Sequence, residues 1–273
     1  MSHTRVQTGG PIPDGRRARR EGNVSKRRVS VVGVIGEILL TAGAVTLLYV
    51  AWQLWIGDMI YGAERNAQGQ ELSQQWQAEY EASLPEIPGP EATNLAGEGT
   101  PEPAAAAPVI IAEPADTQEF GIMWIPRFGP DYHVTMAGGV SRSGTLDTIG
   151  IGHYPGTQMP GQPGNFAVAA HRTTWGKPFN QIAELHVGDP IVIETPDGWY
   201  TYRFRTLEYV TPDAVEVLLP VPQQLDVQAT TAYLTMTSCS PMYSMAERIV
   251  AYSVFDSFTP RTAGAPAALT SGV

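Results

Sequence analysis

Hydrophobic positions along the chain fall into distinct textures, and the first is one unbroken run. From Val29 to Ile56 there is a single charge, Glu37. An α-helix rises about 1.5 Å per residue, so about 20 apolar residues cross a hydrocarbon core of about 30 Å. The run predicts one transmembrane helix over residues 29–56. Tyr49, Trp52 and Trp55 cluster at its far end, where aromatic rings favour the membrane interface. A cleaved signal sequence would carry an apolar core of about 7–15 residues and a small-residue cleavage site. This run is longer and ends in bulky rings.

The next texture, residues 57–84, is polar and rich in Gln and Glu, with Leu72, Trp76 and Tyr80 four residues apart. That spacing predicts a juxtamembrane helix with a thin apolar stripe. Residues 85–119 then read as a Pro/Ala/Glu-rich linker with no Lys or Arg. Such a stretch lacks the apolar surface to offset its ordering entropy and predicts an extended, semi-rigid spacer. From residue 120 to 256 the pattern changes to short β-like runs. Asn165–Ala170 is a continuous apolar run, and Tyr202, Phe204 and Thr206 alternate with Arg203 and Arg205. Pro196-Asp197-Gly198 marks a hairpin turn between two such runs. Thr231–Ser238 and Ile249–Phe255 add two more. This texture predicts a mostly β domain, a closed barrel or a sandwich, with short helices such as Pro178–Leu185. Residues 257–273 are small and polar and predict a flexible tail.

Charge sharpens the topology. The 273 residues carry 17 Lys+Arg and 27 Asp+Glu, a formal net charge of −10. Residues 1–28 nevertheless hold eight basic and only two acidic residues. A basic cluster just before an apolar span places residues 1–28 in the cytoplasm and everything after the span outside. The chain is then a single-pass cell-membrane protein, with membrane lipid as one partner. Net acidity argues against nucleic acid as a partner.

One cysteine, Cys239, excludes an intramolecular disulfide and a cysteine-based metal cluster. A lone thiol on the oxidising side of a membrane is a reactive group, an intermolecular partner, or a small buried hydrophobe. A thiolate nucleophile needs a proton partner and a positive neighbour. Among five histidines, His171 ends an apolar strand run and opens a loop, a place where groups are held rigid yet exposed. His3 is in the basic tail, and His133, His153 and His186 lie in loop-like contexts. Arg248, nine residues after Cys239, opens the next strand run. No cluster of metal ligands or cofactor motif stands out, although an acidic surface could bind calcium weakly.

Several ordered motifs across residues 122–256 resemble the catalytic domain of the sortases, cysteine transpeptidases of Gram-positive bacteria, and above all the class E sortases of actinobacteria. They are Ile125-Pro126-Arg127-Phe128-Gly129, Gly152-His153-Tyr154-Pro155-Gly156-Thr157, Pro163 to Thr174, Val217-Leu218-Leu219-Pro220 and the block from Cys239 to Arg248. The residues before the cysteine read Thr235-Met236-Thr237-Ser238, where the family usually has Thr-Leu-x-Thr. The resemblance implies a closed antiparallel β-barrel. It implies Cys239 as nucleophile, His171 as general acid and base, and Arg248 as the group that stabilises the oxyanion or holds the substrate backbone. It also implies cleavage between Thr and Gly of a Leu-Pro-x-Thr-Gly or Leu-Ala-x-Thr-Gly sorting signal, then transfer through a thioacyl enzyme to a cell-wall amine. The implied partners are surface proteins bearing that signal and a peptidoglycan precursor or other amine. The chemistry requires no metal or cofactor.

Other cysteine enzymes fit less well. An L,D-transpeptidase would want a Ser-x-Gly-Cys-x-Arg run, which Ser238-Cys239-Ser240-Pro241 lacks. Papain-like peptidases place cysteine before histidine, the reverse of the order here. The non-enzymatic alternative is a membrane-anchored β module that binds cell-wall components, with Cys239 buried and inert.

Overall fold

In a computed structural model the chain is described over residues 30–84 and 106–270. The basic tail, most of the linker and the last three residues fall outside the described residues. The chain divides into two compact units at Leu48/Tyr49. The first contains most of helix α1, Val31–Ala51, which is long and apolar enough to cross a membrane and buries none of its side chains.

The second unit is a closed eight-stranded barrel with helices at its margin. Its strands are β1 (Glu119–Trp124), β2 (His133–Gly138), β3 (Ile151–His153), β4 (Gly164–Ala170), β5 (Pro190–Thr195), β6 (Gly198–Val210), β7 (Ala232–Ser240) and β8 (Glu247–Pro260). They close in the order β1-β2-β3-β4-β7-β8-β6-β5. The barrel implied by the resemblance is therefore present. Two of its pairings, β2–β3 and β4–β7, are parallel and the other six antiparallel. The β4–β7 pairing needs a long crossover, and the β5–β6 hairpin with residues 211–231 provides it. The hairpin turn falls where Pro196-Asp197-Gly198 predicts. Gly198 has φ +150°, and a Cβ there would lie 2.3 Å from the Thr259 carbonyl oxygen.

Alternate residues of each strand point inward. Phe166, Val168 and Ala170 of β4, Leu234 and Met236 of β7, and Ile249 and Ala251 of β8 share one core with Phe120, Tyr200 and Tyr202. The buried Tyr202 hydroxyl accepts the Gly161 N–H at 2.8 Å, and the Tyr200 hydroxyl donates to the Val109 carbonyl.

Three margins of the barrel differ from expectation. The segment expected to be a juxtamembrane polar helix is the helix α2, Asp58–Ser83, but it also packs on β2. Its Leu72–Trp76–Tyr80 stripe lies on the docking side, with Trp76 buried. Polar latches add to it. The Asn66 side-chain oxygen accepts the His133 N–H, and Ser73 donates to the Glu194 carboxylate at 3.0 Å. Gly69 permits the approach, since a Cβ there would sit 2.1 Å from the His133 carbonyl oxygen.

The second difference is in the linker. Residues 106–118 lie along the barrel, with Ala106 and Ile111 against the core and the Glu113 carboxylate accepting the Gly156 N–H at 2.7 Å.

The third is the expected tail. β8 continues to Pro260 and Arg261 is buried, so residues 257–263 belong to the barrel. The reason is Glu194. Its carboxylate is 1% exposed and accepts from Arg261 Nη2 at 2.9 Å, Trp124 Nε1 at 2.9 Å and Ser73. A buried carboxylate requires such partners, and the arginine that supplies the charge comes from the expected tail.

Candidate active site

The parallel β4–β7 pairing decides what meets at one end of the barrel. Ala169 faces Thr237 across the pair, and the Ser238 hydroxyl donates to the Ala170 carbonyl at 2.8 Å. The next residue of each strand direction, His171 on one and Cys239 on the other, therefore emerges at the same rim. On the other side of β7, Cys239 and Arg248 are register partners in the antiparallel β7–β8 pair. Side-chain alternation puts both on the face opposite Met236 and Ile249, outside the core. All three predicted residues line one cleft of about 540 Å³, together with Arg172, Tyr243 and Met245. Cys239 is half-buried, so its thiol is neither enclosed in the core nor fully exposed.

The imidazole has a partner that sequence reasoning missed. His171 Nε2 lies 2.6 Å from Asp147 Oδ1, with both side chains mostly shielded from solvent. A neutral His171 donating Nε2–H to that carboxylate presents Nδ1 as the nitrogen that accepts a proton. Asp147 belongs to the β2–β3 connection, 24 residues before the histidine. Nothing in its local pattern, Thr145-Leu146-Asp147-Thr148, distinguishes it from a solvated turn residue.

Two guanidinium groups flank the thiol. Arg248 Nη1 donates to the carbonyls of Met245 and Glu247, at 3.1 and 2.9 Å, which holds it over the β7–β8 turn. Arg172, almost fully buried, donates from Nη1 to the Cys239 carbonyl at 3.3 Å, and its Nε has no hydrogen-bond partner in the protein. The cleft thus holds a thiol, an imidazole backed by a carboxylate, and ten guanidinium N–H donors, only some of them occupied. That set can add a thiolate to a carbonyl, neutralise the resulting oxyanion and move a proton to a leaving amine.

The other histidines stand apart from it. His153 is fully buried, with Nε2 2.9 Å from the Thr157 hydroxyl and its ring stacked on Phe166. His133 is buried against Trp124. Burial pushes both imidazoles below the ordinary value of 6.5. His186 is exposed. His3 lies outside the described residues. The motif residue Arg127 makes a two-pronged ion pair with Asp189, both contacts at 2.7 Å, which secures the barrel rather than the cleft. Among the described residues no group of three or more His, Cys, Asp or Glu could hold a metal ion.

Comparison with known proteins points to one family. A Sortase domain family model matches residues 123–255. The chain is 33% identical to Sortase SrtE1 of Streptomyces coelicolor over 262 residues, which are 93% of this chain. They are 66% of that relative, so the chain spans just under two thirds of its length. The crystal structure of Sortase E1 from Streptomyces coelicolor with a tripeptide in the active site is 36% identical, with a TM-score of 0.53. It covers 57% of this chain and 99% of its own. The SrtA sortase from Actinomyces oris is 31% identical, with a TM-score of 0.56, over 59% of this chain and 93% of its own.

Proposed function

The chain belongs to the sortase family, and from that premise we propose that it is a membrane-anchored cysteine transpeptidase acting on C-terminal sorting signals. The observation that carries the reading is the rim shared by β4, β7 and β8, which gathers His171, Cys239 and Arg248 into one cleft. Cys239 gives its proton to His171, and the resulting thiolate attacks the Thr carbonyl of a Leu-Pro-x-Thr-Gly or Leu-Ala-x-Thr-Gly signal. The C=O π pair moves onto oxygen, and a guanidinium N–H from Arg248 stabilises that charge, with Arg172 the second donor at hand. As the tetrahedral centre collapses, the C–N bond breaks and His171 gives its proton to the departing Gly amine. The products are a thioacyl enzyme and a released C-terminal peptide. An amine from a cell-wall precursor then attacks the thioester, His171 removes its proton, and Cys239 leaves as thiolate.

A peptide ligand is supported by the tripeptide that the Streptomyces coelicolor relative carries in its active site. Anchoring is supported by α1, and the basic residues that precede it in sequence favour a cytoplasmic N-terminus and an external barrel. Tethering the enzyme and a membrane-held substrate to one surface raises their effective concentration. A half-buried Cys239 inside a cleft weighs against the inert-thiol module.

The test is incubation of the full chain in detergent with a panel of sorting-signal peptides and an amine, read by mass spectrometry. Loss of the Gly-side fragment, gain of an acyl mass on Cys239 and an amine-ligated product are expected. No adduct and no cleavage with any peptide would reject the reading.

A further inference from the structure

The buried cation of α2 meets the catalytic rim from outside the matched sortase segment. Arg65 is 6% exposed, and burial pulls its guanidinium below the ordinary arginine value. Its three hydrogen bonds all go to backbone carbonyls of the barrel unit. Nη2 donates to Asp147 at 2.6 Å, Nη1 to Thr148 at 2.7 Å and Nε to Trp175 at 3.1 Å. Asp147 is the residue whose carboxylate holds His171, and Trp175 lies in the loop that begins at His171. One planar fork therefore ties together the two segments that must stay in register for the Asp147–His171 contact. Around it, the Tyr61 and Trp175 rings pack at 5.9 Å, and Gly69 seats the helix on the His133 backbone. Desolvating a guanidinium is costly, and its hydrogen-bond partners are neutral carbonyls, so the geometry of the fork holds the site, with the nearby Glu64 and Asp147 charges favouring the cation.

We propose that Arg65 is a positioning residue for the catalytic histidine, acting by clamping the backbones of Asp147–Thr148 and Trp175 so that the Asp147 carboxylate stays on His171. The helix that follows the apolar span is thereby part of the catalytic apparatus. This rests on the acid–base role given to His171 above.

The test uses the full chain in detergent, with a peptide that the wild type turns over. Arg65→Ala is expected to lower kcat about 10–100-fold, the scale of a misplaced catalytic group. KM is expected to stay within about two-fold, because the substrate cleft is untouched. Asp147→Asn is expected to lower kcat at least as far. The double variant is expected to fall no further than Asp147→Asn alone, since both changes break one linkage. Arg65→Lys, which keeps the charge but cannot serve three carbonyls, should recover part of the loss. Should Arg65→Ala lose its folded circular dichroism, Arg65→Lys in the Asp147→Asn background gives the same comparison. Wild-type kcat in folded Arg65→Ala, or losses that multiply in the double variant, would overturn the proposal. Turnover that survives His171→Ala would instead remove the role of the histidine itself, and the proposal with it.

Discussion

At Cys239 the chain places its only thiol, so no second group can take over the acyl transfer. Cys239→Ala is expected to abolish both hydrolysis and transpeptidation, measured as release of the Gly-side fragment. His171→Ala should cost about 10²–10⁴-fold in kcat/KM, the usual worth of a general acid–base group. Arg248→Lys should cost about 10²–10³-fold if its fork meets the oxyanion. Near-full turnover there would move that role to Arg172, which already donates to the Cys239 carbonyl. The two core histidines carry a different expectation. Their folded values lie below 6.5 while the unfolded chain titrates at that value, so the unfolded state binds the proton first. Their contribution to stability is complete above about pH 6.5 and is lost as the pH falls through the folded values. Thermal melts from pH 8 down to 5 should show a falling Tm below about 6.5, and His153→Gln should flatten that fall. An unchanged slope would assign the acid sensitivity elsewhere.

Single elements explain which expectations the structure alters. The strand runs Asn165–Ala170 and Thr231–Ser238 were visible because their side chains are buried and β-prone, and these runs carry His171 and Cys239 to the rim. The parallel sense of β4 against β7 was not visible, because it is set by a crossover about 60 residues long rather than by either strand. Asp147 was hidden for a related reason, since its partner is fixed by the barrel and not by spacing. Residues 257–263 looked like a tail because small polar residues predominate, yet Arg261 is there to neutralise a carboxylate inside the fold. Breaking a buried pair of this kind typically costs about 3–5 kcal/mol, as it leaves an uncompensated charge. Arg261→Ala is therefore expected to lower stability by that order in urea unfolding, with the midpoint shifted and the slope unchanged. A shift within experimental error would show that Trp124 and Ser73 suffice for Glu194. Helix α2 was legible as a helix but not as a layer of the barrel, because its docking uses one glycine and scattered polar groups more than an apolar face.

On the scale of the whole molecule, the distribution of charge about the apolar span carries the expected topology. The basic tail before α1 and the acidic remainder predict a cytoplasmic N-terminus and an external barrel. Protease added to intact cells should cut within residues 85–105 and spare the tail; cleavage of the tail alone would reverse the orientation. The docked α2 changes what such a cut accomplishes. Residues 85–105 join the end of α2 to the segment 106–118, and both lie on the same barrel. Severing that stretch breaks one peptide bond and none of the contacts from Arg65, Asn66, Ser73 or Trp76. The nicked protein is thus expected to remain a two-piece complex, whose catalytic piece stays with the membrane fraction in native buffer and leaves it only when denaturant melts the helix from β2. For the same reason residues 1–84 and 106–273, made as separate polypeptides, are expected to reassemble into an active enzyme.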